Sequence, residues 1–341
     1  MLLRRLCVKL RNKLKIAKET LEVKFLKKKI PIAVTWAITN TCNLQCRYCG
    51  RWKTNSDELS TQEAKIIIEQ LAHAGCMRIS FLGGEPLLRK DIGDLINFCK
   101  AKGISISLIS NGYFVAEKIS KISNIDLLEL SIDGINDEAN FLRGKGLYER
   151  VLTAFNYARG AGVKTVFKTV LTKYNLHHIG SILEFAVKCE TGVMFGPVSS
   201  LHFANEEIKE LFPDRGEFRR AIEMLMCEKK RGKPIINSMY ALRYMRDWPY
   251  PHQCPCFAGR AFCHIAPNGM VYPCAALEGK IEPFVFKEYD FKNILRILSR
   301  ADFKCDGCWC KGTLEFNYLL ALKPSALLSL SDWMVVYKEL M

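Results

Sequence analysis

Cys42, Cys46 and Cys49 fall within eight residues, in the string Cys42-Asn-Leu-Gln-Cys46-Arg-Tyr-Cys49. Thiolates so close together in an intracellular chain bind metal or do redox chemistry. A single zinc ion would need a fourth ligand nearby, yet Gly50, Arg51 and Trp52 follow. A cluster of four irons and four sulfides normally takes four thiolates, so three leave one iron open to an outside ligand. A second thiol group lies downstream, at Cys254, Cys256, Cys263, Cys274, Cys305, Cys308 and Cys310. Cys256, Gly269 and Cys274 are spaced C-x12-G-x4-C, and Cys305-x2-Cys308 follows after thirty residues, so that four thiolates suffice for a second centre. Zinc is the alternative there, because C-x2-C is also a zinc-ribbon spacing. Cys254, Cys263 and Cys310 are further candidate ligands, or packing residues. Cys7, Cys76, Cys99, Cys189 and Cys227 stand singly and read as small buried apolar side chains.

Such groups need a scaffold, and from Pro31 onward the chain reads as alternating strand and helix. Apolar, β-prone runs begin near Ala33, Met77, Ile104, Leu127, Val163 and Val193, each followed by a helical stretch. Ser60 and Glu63 are spaced as a capping box, and Gly103 and Gly162 stop helices. Six βα units imply parallel strands joined by right-handed crossovers, in an open doubly wound sheet or a barrel. Both architectures build their site from loops at the C-terminal strand ends. The unusual segments sit there: the cysteine loop after the first strand, Gly83-Gly84-Glu85-Pro86 after the second, Ser110-Asn111-Gly112 after the third and Ser131-Ile132-Asp133-Gly134 at the fourth. Taken singly, the last three are ordinary turn sequences.

In this order the motifs resemble those of the radical S-adenosylmethionine (SAM) superfamily. The C-x3-C-x2-C spacing with Tyr48 before the last cysteine is similar to its cluster motif. Gly83, Gly84, Glu85 and Pro86 resemble its GGEP element, which contacts the methionyl amino group. Ser110 and Asn111 resemble its third-strand turn, and Ser131 with Asp133 its element near the ribose. The resemblance covers residues 33 to 200 and implies an α/β fold, a partial (β/α)6 TIM-like barrel. It also implies a [4Fe-4S] cluster on Cys42, Cys46 and Cys49, SAM on the open iron, and reductive cleavage to a 5'-deoxyadenosyl radical. Reduced flavodoxin or ferredoxin is the electron donor that goes with such chemistry. The downstream cysteines resemble the auxiliary-cluster extension of many such enzymes, in its shorter Twitch form rather than the longer SPASM form, which implies one auxiliary [4Fe-4S] cluster on Cys256, Cys274, Cys305 and Cys308.

The 341 residues are 49% hydrophobic and 25% charged, with fifteen cysteines and a net charge of +15. No window approaches eighteen uninterrupted apolar residues and no export signal is recognisable, so a cytoplasmic protein is expected. Residues 1 to 30 hold eleven Lys or Arg against Glu19 and Glu22, with leucines at helical spacing. The expected organisation is a basic amphipathic helix over 1–30, the barrel over 31–235, a small cysteine-rich iron-sulfur domain over 236–312 and an apolar tail over 313–341. The basic helix suits packing on the barrel or an anionic membrane surface; nucleic acid is disfavoured, because no aromatic platform accompanies the charge. Thirty residues are too few for the recognition module that commonly precedes peptide maturases. The first expectation is therefore a radical enzyme acting on a lipid or other small metabolite, peripheral on the membrane. The alternatives are a peptide-modifying maturase and a non-catalytic iron-sulfur electron carrier. No general base is assigned; Arg143, Tyr174 and Asn175 follow strands and are candidates to reach the site.

Overall fold

A computed structural model describes residues 22–23, 25–26, 28–54, 56–199, 206–250, 254–285, 290–299, 305 and 307–321. Six strands come first: β1 (Ala33–Thr39), β2 (Arg78–Gly83), β3 (Ser105–Ser110), β4 (Leu127–Ser131), β5 (Thr165–Leu171) and β6 (Val193–Pro197). Each begins within two residues of the start expected from its apolar run. Between them lie α1 (Thr61–His73), α2 (Ile92–Ala101), α3 (Val115–Ile122), α4 (Asp137–Asn140), α5 (Leu147–Gly160) and α6 (Ile179–Lys188). The Ser60 and Glu63 capping box is formed in both directions at the start of α1. Two more helices, α7 (Arg215–Lys230) and α8 (Met239–Arg246), precede β7 (Phe262–Ile265), β8 (Met270–Tyr272) and β9 (Phe284–Val285), and α9 (Phe291–Leu298) and α10 (Lys311–Ala321) follow.

The strands form one sheet in the order β6-β5-β4-β3-β2-β1-β7-β8-β9. β1 to β6 are parallel neighbours in chain order, as a partial (β/α)6 barrel requires. β7 pairs parallel with the other edge of β1, and β8 and β9 extend the sheet antiparallel. The cysteine-rich region therefore adds its strands to the barrel sheet rather than forming a sheet of its own. The basic helix expected over 1–30 lies largely outside the described residues, as does the apolar tail beyond 321. Among the described residues no helix is long and apolar enough to cross a membrane.

Strand alternation divides the side chains between two faces. Val34, Trp36, Ile38, Ile79, Phe81, Ile106, Leu108, Leu128 and Leu130 join Ile68 and Leu71 of α1 and Leu95 of α2 in the main apolar cluster. The other face is mixed, with Leu127, Val166 and Met194 in a small apolar cluster and several polar side chains beside them. The Ser107 hydroxyl donates to Ser80 at 2.7 Å, and Lys168 pairs with Glu129. Burial works against the Glu129 anion, but Lys168 and Arg78 hold its carboxyl below the usual range. A charged lumen is costly to build, and its ions persist only because they are paired.

One contact sets the distance between the first two strand ends. Gly84 N–H donates to the Thr39 carbonyl and Glu85 N–H to the Thr41 carbonyl, both at 2.8 Å. A β-carbon on Gly84 would lie 2.1 Å from the Thr41 oxygen, and one on Gly83 2.2 Å from the Thr39 oxygen. Both obstacles are backbone, so neither can swing away. The glycines let the β2 turn lie directly against the root of the cysteine loop. Gly84→Ala should therefore lower the urea midpoint by the equivalent of about 1–3 kcal/mol. Gly160→Ala at the end of α5, where nothing lies within 4 Å, should leave the midpoint unchanged or raise it.

Candidate functional site

The cysteine loop leaves the C-terminal end of β1 and closes on itself. Cys49 N–H donates to the Cys46 carbonyl at 3.0 Å, and Leu44 N–H lies 3.4 Å from the Cys42 sulfur. Cys46 is buried, while Cys42 and Cys49 are half-buried. Burial pushes the Cys42 thiol up to about 11 and the Cys46 thiol up to about 12. Thiols so disfavoured as bare anions become thiolates when metal cations bind them. The donor set, three sulfurs with no fourth ligand in the loop, fits a [4Fe-4S] cluster with one open iron.

Two carboxylates organise the ground around this loop. Glu85, 1% exposed, accepts hydrogen bonds from Leu87 N–H at 3.1 Å, the Ser110 hydroxyl at 3.0 Å and Asn111 N–H at 2.8 Å. It thus ties the β2 turn to the β3 turn, and Pro86 opens the short 3-10 turn between Glu85 and Arg89. Burial pushes the Glu85 carboxyl up to about 7 despite these three donors, so a ligand ammonium nearby would favour its ionised form. Asn111 also reaches the cysteine loop, donating to Asn43 Oδ1 at 2.8 Å.

Asp133 is the second carboxylate. Its Oδ2 accepts from the Tyr48 hydroxyl at 2.6 Å and from Arg143 Nε at 2.7 Å, and its Oδ1 accepts from Val170 N–H at 2.9 Å. The Arg143 guanidinium lies 5.3 Å from the Tyr48 ring centroid. Burial works against the Arg143 cation, but Asp133, Tyr48 and Cys46 raise its pKa above the ordinary value. A permanent cation therefore stands beside the thiols. Asn175, the β5 candidate, donates to the Asp133 carbonyl at 3.0 Å, and Tyr174 packs edge-on against Phe141. Ser131 is half-buried at the end of β4. The candidates from the four strand-end motifs thus lie at one end of the sheet, with Glu85 joining Ser110 and Asn111 to the second strand end and Asp133 joining Tyr48 to the fourth.

The downstream thiols gather less evenly. Cys256 lies near Cys305 and Cys254, and Cys274 lies near Cys310, Cys256 and Cys305. A hydrogen bond with Cys254, together with burial, raises the Cys308 thiol, which also has Cys274 and Cys310 beside it. Cys254 and Cys310 therefore lie beside the four expected ligands. Cys263 does not: it is 1% exposed in the main apolar cluster, with Cys76 as a neighbouring thiol, because alternation on β7 turns it away from the lumen. Among the described residues, no three His, Cys, Asp or Glu side chains converge as a single metal ion would require.

Several residues at this end carry no local sequence signal. Asn140 Oδ1 accepts from Asp133 N–H at 3.1 Å. Glu58 Oε1 accepts from the Thr39 hydroxyl and from Asn40 N–H, at 2.8 and 2.7 Å. Lys311, the first residue of α10, runs past Gly196 into the lumen and donates to the Thr169 carbonyl at 2.7 Å. Burial, with Lys168 nearby, pulls its ammonium down to about 7. Such residues are recruited by contacts between distant segments, which no spacing rule detects.

Residues 36–186 match the Radical SAM superfamily. The PqqA peptide cyclase of Rhizobium meliloti (strain 1021) is 29% identical over 259 residues, covering 73% of this chain and 68% of that protein. The AdoMet-dependent heme synthase of Oleidesulfovibrio alaskensis is 25% identical over 314 residues, covering 81% of this chain and 79% of that protein. Among solved structures, Streptococcus suis SuiB bound to S-adenosylmethionine superposes with a TM-score of 0.65 at 19% identity, over 82% of this chain and 69% of SuiB, and so shares the fold. The relatives reported are named for a peptide and for heme, and a lipid substrate finds no support among them. The sheet order, the thiol loop at the end of β1 and the matched span identify residues 36–186 as a radical SAM domain, in an enzyme that uses S-adenosylmethionine and a [4Fe-4S] cluster.

Proposed function

We propose that the chain is a peptide-modifying radical SAM enzyme, with the catalytic cluster on Cys42, Cys46 and Cys49 and one auxiliary cluster held among Cys254, Cys256, Cys274, Cys305, Cys308 and Cys310. The match to a peptide cyclase over 73% of the chain carries the substrate class. It replaces the lipid reading, which rested on the charge of residues 1 to 30, outside most of what the structure describes. The match to a heme synthase is longer, covering 81% of the chain, and favours a tetrapyrrole as the second reading.

The bound cofactors would supply one electron and a 5'-deoxyadenosyl radical. The protein's part is placement. Gly83 and Gly84 bring the β2 turn against the thiol loop, and Glu85 holds the β3 turn beside it. Glu85 and the strand-end carbonyls form an acceptor surface suited to the SAM ammonium. Asp133, held by Tyr48, Arg143 and Val170 N–H, lies where the nucleoside would be recognised, and the Tyr48 ring offers a face for packing. A reduced flavodoxin or ferredoxin in the cytoplasm would deliver the electron.

Dithionite-reduced, anaerobically reconstituted protein should convert S-adenosylmethionine to 5'-deoxyadenosine, and Cys46→Ala should abolish this; retained activity in that variant, measured by chromatography, would overturn the ligand assignment. The two Asp133 contacts should differ in weight. Tyr48→Phe removes one hydrogen bond worth about 1 kcal/mol, so the SAM dissociation constant should rise roughly fivefold. Asp133→Asn strands a buried guanidinium at a cost of about 3–5 kcal/mol, so affinity should fall roughly a hundredfold or more. Calorimetric titration with SAM compares them, and equal effects would contradict the geometry. For the substrate, co-expression with short open reading frames flanking the gene should yield peptides of altered mass. Unaltered peptides, together with formation of heme from added iron porphyrins by the purified enzyme, would favour the second reading.

A further inference from the structure

Arg51 follows Cys49 by two residues and opens the short turn Arg51–Lys53. It is a cation at a position 5% exposed. Its NH1 and NH2 donate to the two carboxylate oxygens of Glu278, at 2.8 and 2.5 Å, and NH1 also reaches Asn40 Oδ1 at 3.3 Å. Glu278 lies four residues beyond Cys274, at the end of the 3-10 turn Ala275–Leu277. Its Oε2 also meets His264 Nε2 at 2.9 Å, and His264 Nδ1 lies 2.9 Å from the Thr35 hydroxyl. Burial opposes the Glu278 anion, but the hydrogen bonds from His264 and Arg51 more than offset it and hold the carboxyl down to about 2. As Glu278 can then only accept, His264 Nε2 carries the hydrogen of that contact, and Nδ1 shares a second hydrogen bond with Thr35. A chain of polar groups, buried from Arg51 to His264 and half-buried at Thr35, thus joins β1, the turn after the thiol loop, β7 and the turn after Cys274.

Stability does not account for this arrangement. A buried ion pair can commonly be replaced by apolar side chains without loss, so a bidentate pair here is poor evidence of a stabilising role. Its placement is more telling: the cation is covalently close to one thiol group and the anion to the other, although 227 residues separate them. The planar guanidinium also fixes the direction of its partner as a lysine would not.

We propose that the Arg51–Glu278 pair is a positioning clamp between the two cluster sites, seating the Cys42–Cys49 loop against the turn that carries Cys274 and setting the charge beside the catalytic cluster. The proposal rests on the assignment of Cys42, Cys46 and Cys49 to that cluster. Net charge is one of the properties that tune a cluster's reduction potential. With both partners present the pair is neutral. Glu278→Gln leaves the guanidinium uncompensated, which favours the more negative reduced cluster and raises its potential. Arg51→Gln leaves the carboxylate, which opposes reduction and lowers it. A merely structural pair would move both variants in the same direction.

The test is a redox titration of the full-length, anaerobically reconstituted chain, followed by electron paramagnetic resonance. The catalytic signal is identified by its change on adding SAM, and iron content confirms that both sites are filled. The clamp predicts a raised potential in Glu278→Gln, a lowered one in Arg51→Gln and the wild-type value in the double variant Arg51→Gln with Glu278→Gln, which buries no unpaired charge. The double variant should still lose the seating of the loop, and its SAM dissociation constant should rise roughly tenfold. Shifts of one sign in both single variants, or no shift in either, overturn the proposal. If a single variant fails to take up iron, the double variant decides, and wild-type SAM affinity there overturns it. A wild-type signal unchanged by SAM would instead overturn the cluster assignment, a separate result.

Discussion

The site depends on one constraint, the contact of backbone with backbone where the Gly83–Gly84 turn lies against Thr39 and Thr41. No side chain fits in that seam, so the first two strand ends stand at a fixed separation. From it the thiol loop takes its root and Glu85 its position. Glu85 then fixes the third strand end through Ser110 and Asn111, and Asn111 returns to the loop through Asn43. Three loops from three strands become one rigid surface through a few short hydrogen bonds.

A second theme is the management of buried charge. The lumen and its rim carry Arg51, Arg143, Lys168, Glu129, Asp133 and Glu278, each costly to bury alone. They occur as pairs: Arg143 with Asp133, Lys168 with Glu129, Arg51 with Glu278. Each joins different elements, so neutralising charge and connecting segments are the same act. This gives a polar interior that keeps its shape, as placing a cofactor between loops demands.

Much of this was legible beforehand. The six strand starts were visible because each strand combines β-branched and apolar residues with a glycine or polar boundary, and the Ser60 cap because its spacing is local. The four motifs were visible because each is a short string whose geometry is nearly its own. The attachment of β7 to β1 was not, since strand pairing between residues 33–36 and 262–265 leaves no periodic trace. The choice for Cys263 between ligand and packing residue was likewise open: it lies in the apolar cluster, because one step along a strand reverses the face a side chain occupies. The membrane reading grew from a charge pattern at the terminus and met no support from the relatives.

The sequence by itself determined which residues could do chemistry, because thiol spacing, paired glycines and strand-end turns are properties of a few consecutive residues. It also determined that the strands are parallel, since crossover rules restrict how βα units can follow one another, while the choice between doubly wound sheet and barrel came only with the family resemblance. Only the tertiary structure decided the company those residues keep: that Glu85 is spent on two turns, that Arg143 stands over Tyr48, and that Arg51 finds its anion in Glu278. The physical reason is that burial energies and ion pairing act through space, over distances that chain separation does not encode.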